Sequence, residues 1–220
     1  MTMLPGASEL VPGLTRWTAF HPEWRKDVGC VALDTDDGLV LVDPLVPAPP
    51  DEEHAFWHAL DARAHATAHV HVLLTLHYHL RSAPDVVARY RERPGATLWA
   101  THATAARVDV EVDTPCDPGD ALPAGIQALA TGRDDEVALW LPDARALVTG
   151  DVLLGGIRKP YRVCPASWLP KGVARASVAA ALDPLRALPV EVLVPLHGPP
   201  VTENARAALA TALDEAAAAR

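Results

Sequence analysis

Three short signatures carry side chains able to do chemistry: His77-Tyr78-His79, Gly150-Asp151 and His197-Gly198. Each follows a short apolar run (residues 70–75, 146–149 and 190–194), the pattern of a buried strand that delivers residues from its C-terminal end. In an extended segment residues two apart point the same way, so His77 and His79 are expected to face one point. Imidazole nitrogens and a carboxylate brought from separate strand ends are a common way to hold zinc or iron. Asp43, at the end of an earlier apolar run, is placed to accept hydrogen bonds from such a site and hold its loops. Two positions past His79, where a further ligand would be useful, the chain has Arg81.

The elements that must position these residues can be read in order. Residues 10–19 alternate weakly and suggest one early strand. Two β-rich runs, 28–35 and 39–42, flank Asp36-Asp37-Gly38, whose Asp-Gly step suits a tight hairpin. Residues 51–66 read as a helix with an acidic first turn. After the strand at 70–75, a second helix is expected over 82–93, with Ser82 as N-cap and Pro84 in its first turn. A strand at 96–100 and a short helix at 101–107 complete a β-α-β-α run, which implies a sheet covered by helices. The second half adds strand-like runs at 126–130, 137–141 and 146–149, then a long loop at 155–171. A helix at 173–188, a strand at 190–194 and a final Ala-rich helix capped by Thr202 close the chain. The halves share a rhythm of hairpins followed by an α/β unit, so one domain of two similar halves, roughly 10–115 and 120–220, is expected.

Composition narrows the partners. The 220 residues carry a formal net charge of -9. With no Lys/Arg-dense run, that disfavours a nucleic-acid backbone. The longest apolar runs are strand-length, so no membrane span is expected. The N-terminal residues lack a basic head and an apolar core, so no signal peptide is expected. Cys30, Cys116 and Cys164 are far apart and odd in number, which reads as reduced thiols in a cytoplasmic protein. His54, His58, His65, His69, His71 and His102 fall on helices or alternating strand positions and are read as ordinary histidines.

Asp43-Pro44 after a hairpin, Leu73-Leu74-Thr75 before the histidine pair, Thr149-Gly150-Asp151 after a hairpin and His197-Gly198-Pro199 after a late strand occur in the order and at the intervals of the metallo-β-lactamase fold superfamily. The chain resembles that superfamily from about residue 10 to the last helix. The resemblance implies an α/β fold, a four-layer αβ/βα sandwich with up to two metals at one edge. It implies a hydrolase of esters, amides, thioesters or phosphoesters, a minority of the family being oxidoreductases.

The departures are specific. The family's His-x-His-x-Asp-His reads His77-Tyr78-His79-Leu80-Arg81-Ser82 here. Arg81 stands for the Asp of the second metal site, and Ser82 for the following His. A further family His, expected near Gly132-Arg133-Asp134, is also missing, with Arg133 at that place. What survives is His77, His79, Asp151 and His197. Arginine offers no lone pair and keeps its charge. A unit charge ~5 Å away is repelled by ~3 kcal/mol at an effective dielectric of ~20, and a divalent ion by about twice that. At most one zinc or iron ion is therefore expected, and none is an open alternative.

Two readings follow. In one, the chain is a hydrolase with an eroded centre: His77, His79, Asp151 and His197 hold one metal, Asp151 is a ligand or the base for water, and Arg81 stabilises a developing oxyanion. In the other it is a metal-free binding or regulatory protein. It would then hold a small anion through Arg81, Arg133 and the basic loop with Arg158, Lys159, Tyr161 and Arg162. The plain readings of the same residues are hydrogen-bonded histidines, a turn-capping His197 and an Arg81–Asp151 ion pair.

Overall fold

In a computed structural model of the chain, residues 3–156 and 161–218 are described; Arg158 and Lys159 lie outside them. The chain divides into two compact units, Met1–Cys116 with Leu122–Ala124, and Asp117–Ala121 with Gly125–Arg220.

The first unit is built on a sheet in sequential order: β1 (Ala7–Val11), β2 (Leu14–His21), β3 (Lys26–Thr35), β4 (Gly38–Val42), β5 (Val70–Leu73), β6 (Ala96–Ala100) and β7 (Thr114–Pro115). Strands β1 to β4 pair antiparallel through short turns. Strands β4 to β7 pair parallel, because α1 (Pro50–Ala64) and α2 (Ala83–Tyr90) carry the chain back to the starting edge. The single strand expected over 10–19 is a hairpin instead; Pro12-Gly13 is a turn signal, and Gly13 has φ +81°. Phe56 and Leu60 of α1 and Val86 and Tyr90 of α2 share one core with Val70, Val72 and Leu98. Helix α2 is shorter than expected: Arg93 is extended (φ -160°, ψ 120°), as a residue before proline prefers. Ser82 stands at the N-cap of α2 as expected, but its side chain makes no capping bond. Its hydroxyl accepts from Val46 N at 3.0 Å instead. A short α3 (His102–Ala105) follows β6 and is capped by Thr101, which accepts from Thr104 N.

The second unit holds β8 (Gln127–Ala130), β9 (Val137–Leu141), β10 (Ala146–Thr149) and β13 (Val192–Pro195) in the order β13-β10-β9-β8. The stretch expected as a long loop contains strand structure, since β11 (Leu153–Gly155) pairs with β12 (Tyr161–Val163). Helices α4 (Arg175–Leu182) and α5 (Ala205–Ala218) bury Val178, Leu182, Leu209 and Leu213 with Trp140, Leu147 and Leu193. The helix expected over 173–188 tightens into a 3₁₀ turn at Asp183–Ala187, where Pro184 removes a donor.

Parallel register places the polar residues. Val42 lies opposite Leu73 in the β4–β5 pair, so Asp43 and Thr75 leave the same sheet edge side by side. Thr149 lies opposite Pro195 in the β10–β13 pair, so Asp151 and His197, each two residues on, leave together.

Candidate functional site

The first unit builds a buried carboxylate–imidazole pair. Asp43 Oδ1 accepts from Thr75 N at 2.8 Å, and its Oδ2 accepts from the Thr75 hydroxyl. His79 Nδ1 lies 2.6 Å from the same Oδ2 and 3.1 Å from Thr75 Oγ1. Asp43 and His79 are both 0% exposed. An ionised carboxylate only accepts, so this contact puts the ring hydrogen on Nδ1 and makes Nε2 the ring's lone-pair nitrogen. Trp24, in the β2–β3 turn, tilts toward His79 with ring centroids 6.0 Å apart.

His77 and His79 do not sit on an extended segment. They span a 3₁₀ turn, His77–His79, in which residues two apart are rotated by roughly 240°. The strand-alternation argument for their facing one point therefore fails. His77 is half-buried, and its ring lies tilted against that of the exposed Tyr78, centroids 3.9 Å apart.

Arg81 has φ +40° and turns its guanidinium inward. Nη1 donates to Gly29 O and to Asp43 O, each at 2.9 Å. Nε and Nη2 are buried without a hydrogen-bond partner. Within its own unit the guanidinium is thus held through Nη1 by two backbone oxygens. The Cys30 thiol lies 3.8 Å from Nη1. Burial pushes that thiol up to about 11, with the Arg81 charge opposing, so Cys30 stays a protonated, inert thiol.

The second unit pairs Asp151 with His197. Asp151 Oδ1 lies 3.0 Å from His197 Nε2, and both side chains are largely buried. The Trp168 ring meets His197 edge-on at 5.8 Å. Below the Asp151 turn sits Glu136, which the sequence offers only as a possible partner for an arginine. Its Oε1 accepts from Val152 N at 2.8 Å. Burial pushes its carboxyl up to about 8, the nearby Asp151 charge adds to this, and Arg133 opposes it. The only sequence signal was an acidic residue directly before the fully apolar β9.

The expected anion cleft is corrected in two places. Arg133 is held by Asp135 (Nε–Oδ1 3.0 Å, Nη2–Oδ2 3.2 Å) and lies 3.4 Å from Glu136, so its charge is matched internally. Its Nη1 also donates to Trp168 O at 3.3 Å. Tyr161 is 2% exposed, with its hydroxyl 2.7 Å from Thr149 Oγ1; it is a core residue because β12 turns it inward. Arg162, alternating with it, is exposed. Cys30, Cys116 and Cys164 are buried free thiols.

Matches to known proteins agree with this geometry. The profile of the metallo-β-lactamase superfamily matches residues 50–197. The chain belongs to that superfamily. A β-lactamase-domain protein from Burkholderia ambifaria superposes with a TM-score of 0.69 at 15% identity, covering 96% of this chain and 76% of that one. A metallo-β-lactamase from Erythrobacter litoralis gives 0.67 at 14% identity, covering 95% and 96%. The metallo-β-lactamase FIM-1 from Pseudomonas aeruginosa, in its mono-zinc form, gives 0.65 at 10% identity, covering 96% of each chain. These likenesses establish the mixed α/β superfamily fold. A linear primary-alkylsulfatase from a Pseudomonas species is 31% identical over 112 residues, which is 46% of this chain and 19% of that protein. The chain thus spans about a fifth of that relative.

Proposed function

We propose that this superfamily member is a hydrolase working with a single metal ion. The observation that carries the reading is the Asp43–His79 pair. A fully buried carboxylate fixes the ring through Nδ1 at 2.6 Å and leaves Nε2 as the ligand atom, the arrangement that orients metal-binding histidines. The donor set read from the sequence, His77, His79, Asp151 and His197, is three imidazoles and one carboxylate, which suits one zinc or iron ion. A second ion does not fit. Arg81 and Ser82, at the places of the family's Asp and His, are engaged with the backbone of residues 29, 43 and 46.

Bound there, the metal would act as a Lewis acid and lower the pKa of a bound water. The chain's own contributions are separable. Asp43 holds the His79 tautomer. The Asp151 carboxylate, 3.0 Å from His197 Nε2, can orient that ring or accept a proton from water. Trp168 shields one side of His197. The metal-free anion-binding reading is less supported, since Arg133 is already neutralised by Asp135 and Arg81 donates to carbonyls.

The substrate class we propose is an ester: carboxylic, thio-, phosphate or sulfate, or the related amide. The alkylsulfatase likeness puts sulfate monoesters first in a panel. Elemental analysis of protein purified without chelators, followed by turnover of p-nitrophenyl acetate, phosphate and sulfate, tests the reading. About one zinc or iron per chain and chelator-sensitive turnover of one ester are expected. No metal, and no rise in melting temperature on adding zinc, would overturn it, because an ion bound to the native state must stabilise that state.

A further inference from the structure

We propose that Arg81 is a positioning residue that sets His79 from behind, through Asp43, and that Ser82 works with it as a clamp. The clamp is visible as three bonds joining residues 81–82 to residues 43–46. Arg81 Nη1 donates to Asp43 O at 2.9 Å. Ser82 N donates to Pro44 O at 3.1 Å. Ser82 Oγ accepts from Val46 N at 3.0 Å. The same Nη1 reaches Gly29 O on β3, so one guanidinium ties the segment after the histidines to β3 and to the residue that follows β4.

Asp43 needs such a restraint. Its φ is +47° and that of Arg81 is +40°, a left-handed region that non-glycine residues occupy at a cost. Unrestrained, Asp43 would relax toward ordinary backbone and swing its carboxylate off His79. The relay therefore runs from the Arg81 guanidinium to the Asp43 carbonyl, through the left-handed Asp43 backbone to its carboxylate, and on to His79 Nδ1. A charged donor suits the first step, because bonds to charged groups are the stronger ones. The Nε and Nη2 atoms of Arg81 are enclosed, so its contribution lies in holding the chain.

The relay rests on the reading of His79 as a functional residue, but it can be tested on metal-free protein. Long-range ¹H–¹⁵N correlation of the histidine rings reports the His79 tautomer and its Nδ1–H bond. In Arg81→Ala the His79 Nδ1–H signal should weaken or move toward mixed tautomers, and zinc affinity should fall by about 10- to 100-fold, the range for losing an outer-shell partner. Arg63→Ala, which breaks the Arg63–Asp34 ion pair in the same unit, should lower the melting temperature and leave the His79 signal in place. If Arg81→Ala does not fold, Arg81→Met decides, since it keeps an apolar stem but has no N–H to give to either carbonyl; its His79 signal should shift the same way. A His79 ring spectrum unchanged in the folded arginine variant would overturn the proposal. If wild-type protein binds no zinc while the ring shift is seen, the metal reading fails and the relay stands.

Discussion

Glu136 shows what one buried residue imposes on the whole titration. Its carboxyl is 1% exposed, accepts from Val152 N, and is pushed by burial up to about 8 from an ordinary 4.5. In the unfolded chain it ionises near 4.5, while in the folded chain it keeps its proton to about 8. Between those values the native state binds the extra proton, so stability is full below the lower value and falls as pH rises toward the upper one. Glu136→Gln keeps an acceptor for Val152 N and cannot ionise. Urea unfolding of chelated protein at several pH values from about 5 to 8 should show wild-type stability falling with pH and the variant losing that part of the slope. An identical slope in both would place Glu136 outside the titration. None of this was legible in the sequence, because Asp135-Glu136 before an apolar run looks like an ordinary strand start. Arg81 was legible as a break in the histidine pattern, but its partners were not. They depend on how the segment after β4 folds back, and local propensity does not encode that.

Among the elements, the β10–β13 pair was the most legible part of the site. Both strands are short apolar runs, buried along their length, and parallel pairing of Thr149 with Pro195 places Asp151 beside His197 without further help. The β5 end was less legible. Residues 77–79 form a 3₁₀ turn, which no periodicity over three residues can announce. The turn after β13 depends on Gly198. It has φ +93°, and a Cβ there would run into the Gly155 carbonyl, while Gly155 N donates to His197 O at 2.8 Å. Gly198→Ala adds left-handed strain to a backbone clash that no rotamer relieves. It should cost more than about 2 kcal/mol in chemical unfolding, and it should displace His197 enough to lower zinc affinity. A melting curve and zinc titration matching wild type would show that the turn relaxes freely.

For the whole molecule, the ordered set of strand-end residues identified the superfamily, since each residue arrives where a parallel register or hairpin delivers it. The strands at residues 153–155 and 161–163 were not visible, because such short strands carry too few residues for alternation to stand out. No described helix is long and apolar enough to cross a membrane. Stoichiometry tests the molecule as a unit. A divalent ion about 5 Å from an unmatched guanidinium is opposed by roughly 7 kcal/mol at an effective dielectric of about 20. Arg133 is matched by Asp135, whereas Arg81 has carbonyls, a protonated thiol and the Trp24 ring as neighbours, with no carboxylate ion pair among the described residues. The penalty therefore falls on the position next to Arg81 and spares a single ion elsewhere. Zinc added to chelated protein should raise the melting temperature until one equivalent is bound, with stabilisation of about 2.7 kcal/mol when free zinc is 100-fold above Kd. A second equivalent should add nothing in calorimetry. Two tight equivalents would mean that the Arg81 guanidinium leaves the Asp43 and Gly29 carbonyls, and in that case Arg81→Ala should raise, rather than lower, the affinity for the second ion.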